Sequence, residues 1–378
     1  MRAQLLRDFD RFGRELPADW AAYVRSAYGI DLTAEYLGET IPHPIGKASG
    51  QLSLNADQLE ADAAAGLAFT VLKTAVGEDE AGSRSMGAWA TSETRMRVEP
   101  RRAPDGREGW TVTWTGRGWG GTFAEYLSLV RAGRDLTGAG RLLVVPSLKL
   151  HLPRLDEPFR DDEYRHTLSA LRGAWGPGTL LVEKDFSPTL AGDALADERA
   201  RVLRWLRDVP DRMRLASPGP MRVALKLMNA RFDDAFQLAM LGAAQGADAV
   251  TVFNRLWDAA AQAAFGGWEL SDRNLRVLAS APAGLPRSGT GNVCTGRMVV
   301  EYARRGCSSV QVHTFFQLPR TAYPAAGGSR TASALHALVF DPGDGLLAAL
   351  LELESSGALA RERGELRFMD LVRGRGAA

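Results

Sequence analysis

Polar residues in this sequence keep returning to one kind of place, the end of a short apolar, β-rich run or the residues just past it. Ser49 follows the run Pro44–Ala48, Lys73 and Thr74 close Ala68–Thr74, and Lys149 follows Leu142–Leu148. Lys184 and Ser187 come after Thr179–Glu183, Lys226 lies within Arg222–Leu227, and Asn254 ends the run Ala249–Phe253. A weak run at Leu285–Ser288 leads into the loop Ser288–Gly291, and Thr314 follows Ser309–Val312. Each residue alone reads equally well as a solvated loop position. Together they form the pattern of a site built at the C-terminal ends of parallel strands.

Two of these residues carry a sharper argument. Lys73 follows Val71-Leu72 and Lys226 follows Ala224-Leu225. A lysine on a buried strand needs an anionic partner or a place in a site, because an unpaired buried ammonium is costly. A salt bridge to a neighbouring carboxylate is the structural alternative to contact with an electron-rich cofactor or an acidic substrate. The stretch Ser288-Gly-Thr-Gly-Asn-Val-Cys-Thr-Gly296 then runs into a helical pattern over Gly296–Arg305. Glycines allow close backbone approach, and N–H groups at a helix start favour phosphate. A plain turn is the bland reading of the same residues.

The elements that would position these residues follow from periodicity. Helical patterns at Ala56–Ala64, Asp233–Gln245 and Gly296–Arg305 separate several of the strands, and alternating strands and helices imply right-handed crossovers and a parallel sheet. Seven runs and the weak one make eight. That number suggests a closed (β/α)8 barrel, and an open doubly wound sheet remains the alternative. Residues 77–121, rich in Gly, Arg and Trp, break the rhythm, and Trp110–Trp114 alternates as a strand does. The region is expected to be an antiparallel excursion over the mouth of the barrel. The expected organisation is an N-terminal helical extension (1–38, with an amphipathic helix over Leu5–Leu16), the barrel (39–319), and a C-terminal tail (320–378) with a helix over Gly345–Leu353.

Composition sets bounds. The chain has 378 residues, of which 46 are basic and 45 acidic, for a formal net charge of +1, so a broad nucleic-acid-binding surface is not expected. Two cysteines, Cys294 and Cys307, cannot by themselves hold a zinc or iron–sulfur centre, and no metal is expected. No apolar stretch reaches the length of a membrane span. Charged residues from Arg7 to Arg14 interrupt any signal-peptide core, so the cytoplasm is the expected location.

An ordered set of phrases resembles the dihydroorotate dehydrogenase family. Asp31–Gly38 followed by Pro42-His-Pro-Ile-Gly-Lys-Ala-Ser-Gly50 is similar to the family's entry phrase, and Val71-Leu-Lys-Thr74 to its second-strand lysine motif. Val223-Ala-Leu-Lys226, Ala247–Asn254 and Arg305–Thr314 resemble the fifth, sixth and closing strand motifs, so the match spans Asp31 to Pro319. The resemblance implies an FMN-dependent barrel that passes hydride from a CH–CH bond to the flavin. Backbone around Gly291, Asn292, His313 and Thr314 would hold the phosphate. Ala48, Ser49, Gly50 and Thr74 would line the flavin, Lys226 would stand near its pyrimidine edge, and Lys73 would bridge flavin and substrate. Ser187 matches the family's base, and Asn254 its substrate asparagine.

The sequence departs from the family where the substrate ring is held. Lys184 and Thr189 stand in the places of two asparagines, and Gly118–Gly121 offers no third, which points away from dihydroorotate itself. The expected substrate is a small cyclic or anionic, pyrimidine-related molecule, with an electron acceptor the sequence does not identify. A homodimer is expected. The alternatives are a true dihydroorotate dehydrogenase, a catalytically altered flavin-binding barrel acting as a binding partner, and a barrel isomerase or aldolase with Lys226 as its Schiff-base candidate.

Overall fold

The computed structural model describes residues 1–87, 95–102, 106–115, 118–186, 199–230, 233–258, 263–265, 267–324 and 327–374. Ten short strands make one parallel sheet: β1 (Ile45–Lys47), β2 (Phe69–Val71), β3 (Ala75–Val76), β4 (Leu143–Val145), β5 (Ser147–Lys149), β6 (Leu180–Asp185), β7 (Met221–Met228), β8 (Ala249–Asn254), β9 (Arg287–Thr290) and β10 (Cys307–Val312). Their order is β3-β5-β6-β7-β8-β9-β10-β1-β2-β4, and the sheet curls as a half-barrel does. Most strand residues are buried, as expected when helices cover one face and other strands the other. Only Leu72–Thr74 separates β2 from β3, and only Pro146, which cannot donate to a ladder, separates β4 from β5. β2 pairs with β4 and β3 with β5, so the same two stretches of chain meet twice.

The helices fall where capping chemistry places them. Asn55 caps α3 (Ala56–Ala64), and Thr122 with Glu125 forms a capping box on α4 (Phe123–Gly138). Asp233 caps α7 (Asp234–Ala243) and Thr295 caps α9 (Gly296–Ala303). The terminal helix α1 spans Arg2–Phe12, shorter than its apolar pattern suggests, because the chain turns at Gly13 before Leu16 can join.

The insertion is antiparallel, as its alternation predicts. Arg95–Arg102 pairs with Glu108–Thr115 over eight positions, and Glu108–Thr115 packs against a short strand, Ala263–Phe265, that follows β8. The Trp119 N–H donates to the Thr74 carbonyl (2.7 Å) and ties the insertion's exit to the strand-end face. A second hairpin, Ala34–Tyr36 with Glu39–Ile41, lies at the opposite end, where Tyr36 stacks on Phe69 at 4.0 Å between ring centroids. Its strands are three residues each, too short to leave a periodic signal.

The tail helices α11 (Arg330–Phe340) and α12 (Leu346–Ser355) pack against α1 and α9. One buried cluster fastens α11 to the sheet: Lys47 on β1 pairs with Asp62 on α3, Thr331 bonds both, and Thr70 on β2 donates to Asp62 (2.9 Å). Among the described residues no helix is long and apolar enough to cross a membrane.

Candidate functional site

The C-terminal ends of β1, β9 and β10 are neighbours, and the loops leaving them interlock. The Ala48 N–H donates to the Val312 carbonyl (3.0 Å), so the chain leaving β1 is stitched to the end of β10. At Gly50 the backbone passes so close to His313 that any Cβ would overlap the imidazole ring. Nε2 of that ring accepts the Gln51 N–H (3.2 Å), and the Gln317 amide lies 2.6 Å away. A ring nitrogen that accepts from a backbone donor carries no proton, so His313 is neutral with its hydrogen on Nδ1. Burial lowers its pKa well below the usual imidazole value, and Arg255, Lys73, Lys226 and Lys47 push in the same direction.

Gly291 and Asn292, one strand over, both take left-handed backbone (φ 102° and 55°). A Cβ on Gly291 would stand 2.6 Å from the Asn274 amide nitrogen, which donates to the carbonyls of Phe253 (2.7 Å) and Thr290 (2.9 Å). Thr314 opens the short helix Thr314–Gln317 beside them. The structure therefore gathers Ala48, Ser49, Gly50, Gly291, Asn292, His313 and Thr314 on one face. The start of α9 plays a different part from the one its glycines suggest. The Arg297 N–H donates to the Asp344 carbonyl (3.0 Å) and the Met298 N–H to Thr295 Oγ1 (3.2 Å). A Cβ on Gly296 would overlap backbone atoms of Leu338 and Leu346. That glycine serves helix packing, and a phosphate would have to rely on the loops after β9 and β10.

Inside the curl of the sheet, polar side chains form two layers. Glu183 and Asp185 on β6 share one face because strand side chains alternate. In the deeper layer Lys226 Nζ lies 3.5 Å from Glu183 Oε1, while Glu183 Oε2 accepts from the Gln311 amide (2.5 Å) and the Thr251 hydroxyl (3.1 Å). Tyr36 completes this layer from the hairpin below, 3.0 Å from Gln311 Nε2, and burial with the Glu183 charge raises its pKa well above the usual phenol value. Two residues further along β6, Thr74 Oγ1 stands 2.9 Å from Ser49 Oγ, 3.0 Å from Ser147 Oγ and 3.2 Å from Asp185 Oδ2. Lys149 Nζ pairs with the same carboxylate at 3.5 Å.

Lys73 differs from these. It is 5% exposed at the strand-end face, and among the described residues its ammonium has no hydrogen-bond or ion-pair partner. Burial lowers its pKa to about 7, Arg255 adds to that, Asp185 opposes it, and Lys226 and Lys149 add further. Four cations, Lys73, Lys149, Lys226 and Arg255, thus converge on this face, where Asp185 pairs with Lys149 and Glu183 with Lys226. Arg255, Asp185, Glu183, Gln311, Ser147 and Asn274 were not evident as site residues from the sequence. The lysines carry a signal of their own: the chain has only five, at positions 47, 73, 149, 184 and 226, against an abundance of arginine. Every one is buried.

Asn254, the last residue of β8, is partly exposed, and its carbonyl accepts the Asn229 N–H (3.0 Å). Ser187 and Thr189 lie outside the described residues. Lys184 falls on the face opposite Glu183 and Asp185, in register with Leu148 and Leu225. It is fully buried, its Nζ lies 4.8 Å from the centre of the Phe186 ring, and it makes no hydrogen bond among the described residues. The inward residue beside it is Asp185.

Burial lowers the Lys184 pKa from its ordinary 10.5 to about 7. Between those values the unfolded chain binds the extra proton and the folded one does not, so stability climbs as pH rises through that window. Lys184→Met is expected to remove this residue's share of the slope and to raise stability near pH 7 by about 1–3 kcal/mol. Urea unfolding at several pH values checks both effects.

Searches against protein-family models and curated proteins find no match, so what the chain does is argued from the geometry of this face.

Proposed function

We propose that the curled sheet closes as a (β/α)8 barrel and that the chain is an FMN-dependent oxidoreductase of the dihydroorotate dehydrogenase type, acting on a CH–CH bond of a small anionic or cyclic substrate. Closure is supported by the double meeting of the β2–β3 stretch with the β4–β5 stretch, which brings the two ends of the strand order together. The observation that carries the functional reading is the unpartnered, buried Lys73 among Lys226, Lys149 and Arg255. Such a cation set suits an electron-rich ring that gains negative charge on reduction.

The residues present fit FMN. Ala48–Gly50 and Thr74 would border the ring, and the loops at Gly291-Asn292 and His313-Thr314 would take the phosphate. When bound, FMN supplies the hydride acceptor. The chain's own part is to hold charge and move a proton. Lys226, anchored to Glu183 beneath, would present a fixed cation to the ring, and Lys73 would stand between cofactor and substrate. Ser187 remains the proposed base and Asn254 a proposed substrate contact, in a cytoplasmic homodimer.

Acid release followed by chromatography is expected to yield one FMN per chain, and a yield of FAD, or of no flavin, would overturn the reading. Dihydroorotate should be a poor substrate, because Lys184 faces away from the site and leaves no amide where the ring would be held. Each missing hydrogen bond costs roughly 1–3 kcal/mol. Steady-state kinetics with dihydroorotate should therefore give a kcat/KM well below about 10⁴ M⁻¹s⁻¹.

A further inference from the structure

We propose that Lys73 is also a carbonyl-reactive amine, whose Nζ captures the carbonyl carbon of a small 2-oxo acid as an imine at the strand-end face. The five lysines differ in their surroundings. Lys47, Lys149 and Lys226 each face a carboxylate, Asp62, Asp185 and Glu183 respectively. Lys184 is sealed against Phe186 on the other side of its strand. Lys73 alone combines a place on the polar face with a side chain that no described residue bonds. Its neighbours are what an imine-forming site needs: cations that disfavour a further positive charge and so leave the amine nucleophilic, and a carboxylate within electrostatic reach.

The step balances without an oxidant or reductant. The neutral Nζ donates its lone pair to the carbonyl carbon, and the C=O π pair moves to oxygen, which takes a proton. Nitrogen loses a proton, the hydroxyl takes another and leaves as water, and an iminium remains. Asp185, linked to Ser49 and Ser147 through Thr74 Oγ1, can pass these protons. Arg255, Lys226 and Lys149 favour a substrate with a carboxylate beside its carbonyl. The charged and titratable groups that face Lys73 are Arg255, Lys226, Lys149, Asp185 and the neutral His313. With the amine's pKa lowered to about 7, capture should slow as pH falls below that value.

This inference is independent of the flavin. Full-length protein as purified is incubated with pyruvate and sodium cyanoborohydride, and the reduced adduct is located by peptide mass spectrometry. One adduct per chain on Lys73 is expected, at least tenfold above any other lysine and above labelling by acetone, which lacks the carboxylate. Lys73→Arg, checked for native circular dichroism, should abolish it. Labelling spread over several lysines, equal labelling by acetone, or an unmodified Lys73 would overturn the proposal. A flavin spectrum from the same sample separates the two readings. Flavin without adduct removes the imine and keeps the cofactor, and adduct without flavin does the reverse.

Discussion

Lys226→Met is expected to destabilise the protein by about 3–5 kcal/mol, and Lys226→Met combined with Glu183→Gln to recover most of that loss. The ground is the buried pair in the deeper polar layer. Lys226 is 3% exposed and Glu183 fully buried, and Glu183 Oε1 has no hydrogen-bond partner among the described residues. Removing the ammonium leaves a carboxylate in a dry interior with nothing opposite Oε1. The amide in the double variant needs no counter-ion, and it can still accept from Gln311 and Thr251. Urea denaturation of the parent and both variants measures this. On the proposed function, single-turnover flavin reduction stays impaired in the double variant even though its fold is restored. If both variants reduce flavin at the parent rate, Lys226 is a structural salt-bridge lysine and nothing more.

Gly50→Ala should cost about 1–3 kcal/mol by overpacking and weaken FMN binding by at least tenfold. The added Cβ overlaps the His313 ring, whose Nε2 holds the Gln51 N–H and lies beside Gln317. Either the loop after β1 or the imidazole has to move, and both border the proposed cofactor face. Gly173→Ala is the matched control. It lies in the helix Asp161–Trp175 with open space around the new methyl, and there a gain of about 0.5–1 kcal/mol is expected. If Gly50→Ala behaves like Gly173→Ala, the close approach is not what shapes the site.

The strands were legible because they are short, apolar and buried on both faces. Even the weak run near Leu285 falls within a few residues of β9. Periodicity placed the helix starts too, Ala56 at the observed first residue and Asp233 one residue early, where it is the cap. Faces were harder to read. Lys184 and Asp185 are adjacent, and a one-residue difference in alternation exchanges which of them faces inward. No local feature of Leu180–Asp185 decides that, because the deciding partners are distant in sequence: Thr74 between β2 and β3, Thr251 on β8 and Gln311 on β10. Gly296 misled for a related reason. A glycine at a helix start reads as a phosphate cradle, yet here it admits the backbone of the tail helices. Lys47 belonged to a recognisable phrase, but Asp62 and Thr331, which bury it, carry no mark of their role.

The proposed FMN site has its phosphate end at the loops after β9 and β10. Calorimetric titration of flavin-free protein with FMN and, separately, with riboflavin tests it most directly. One FMN per chain, bound at least a hundredfold more tightly than riboflavin, is the predicted result. Equal affinities would remove the phosphate subsite at Gly291-Asn292 and His313-Thr314, and no binding of either would contradict the account as a whole.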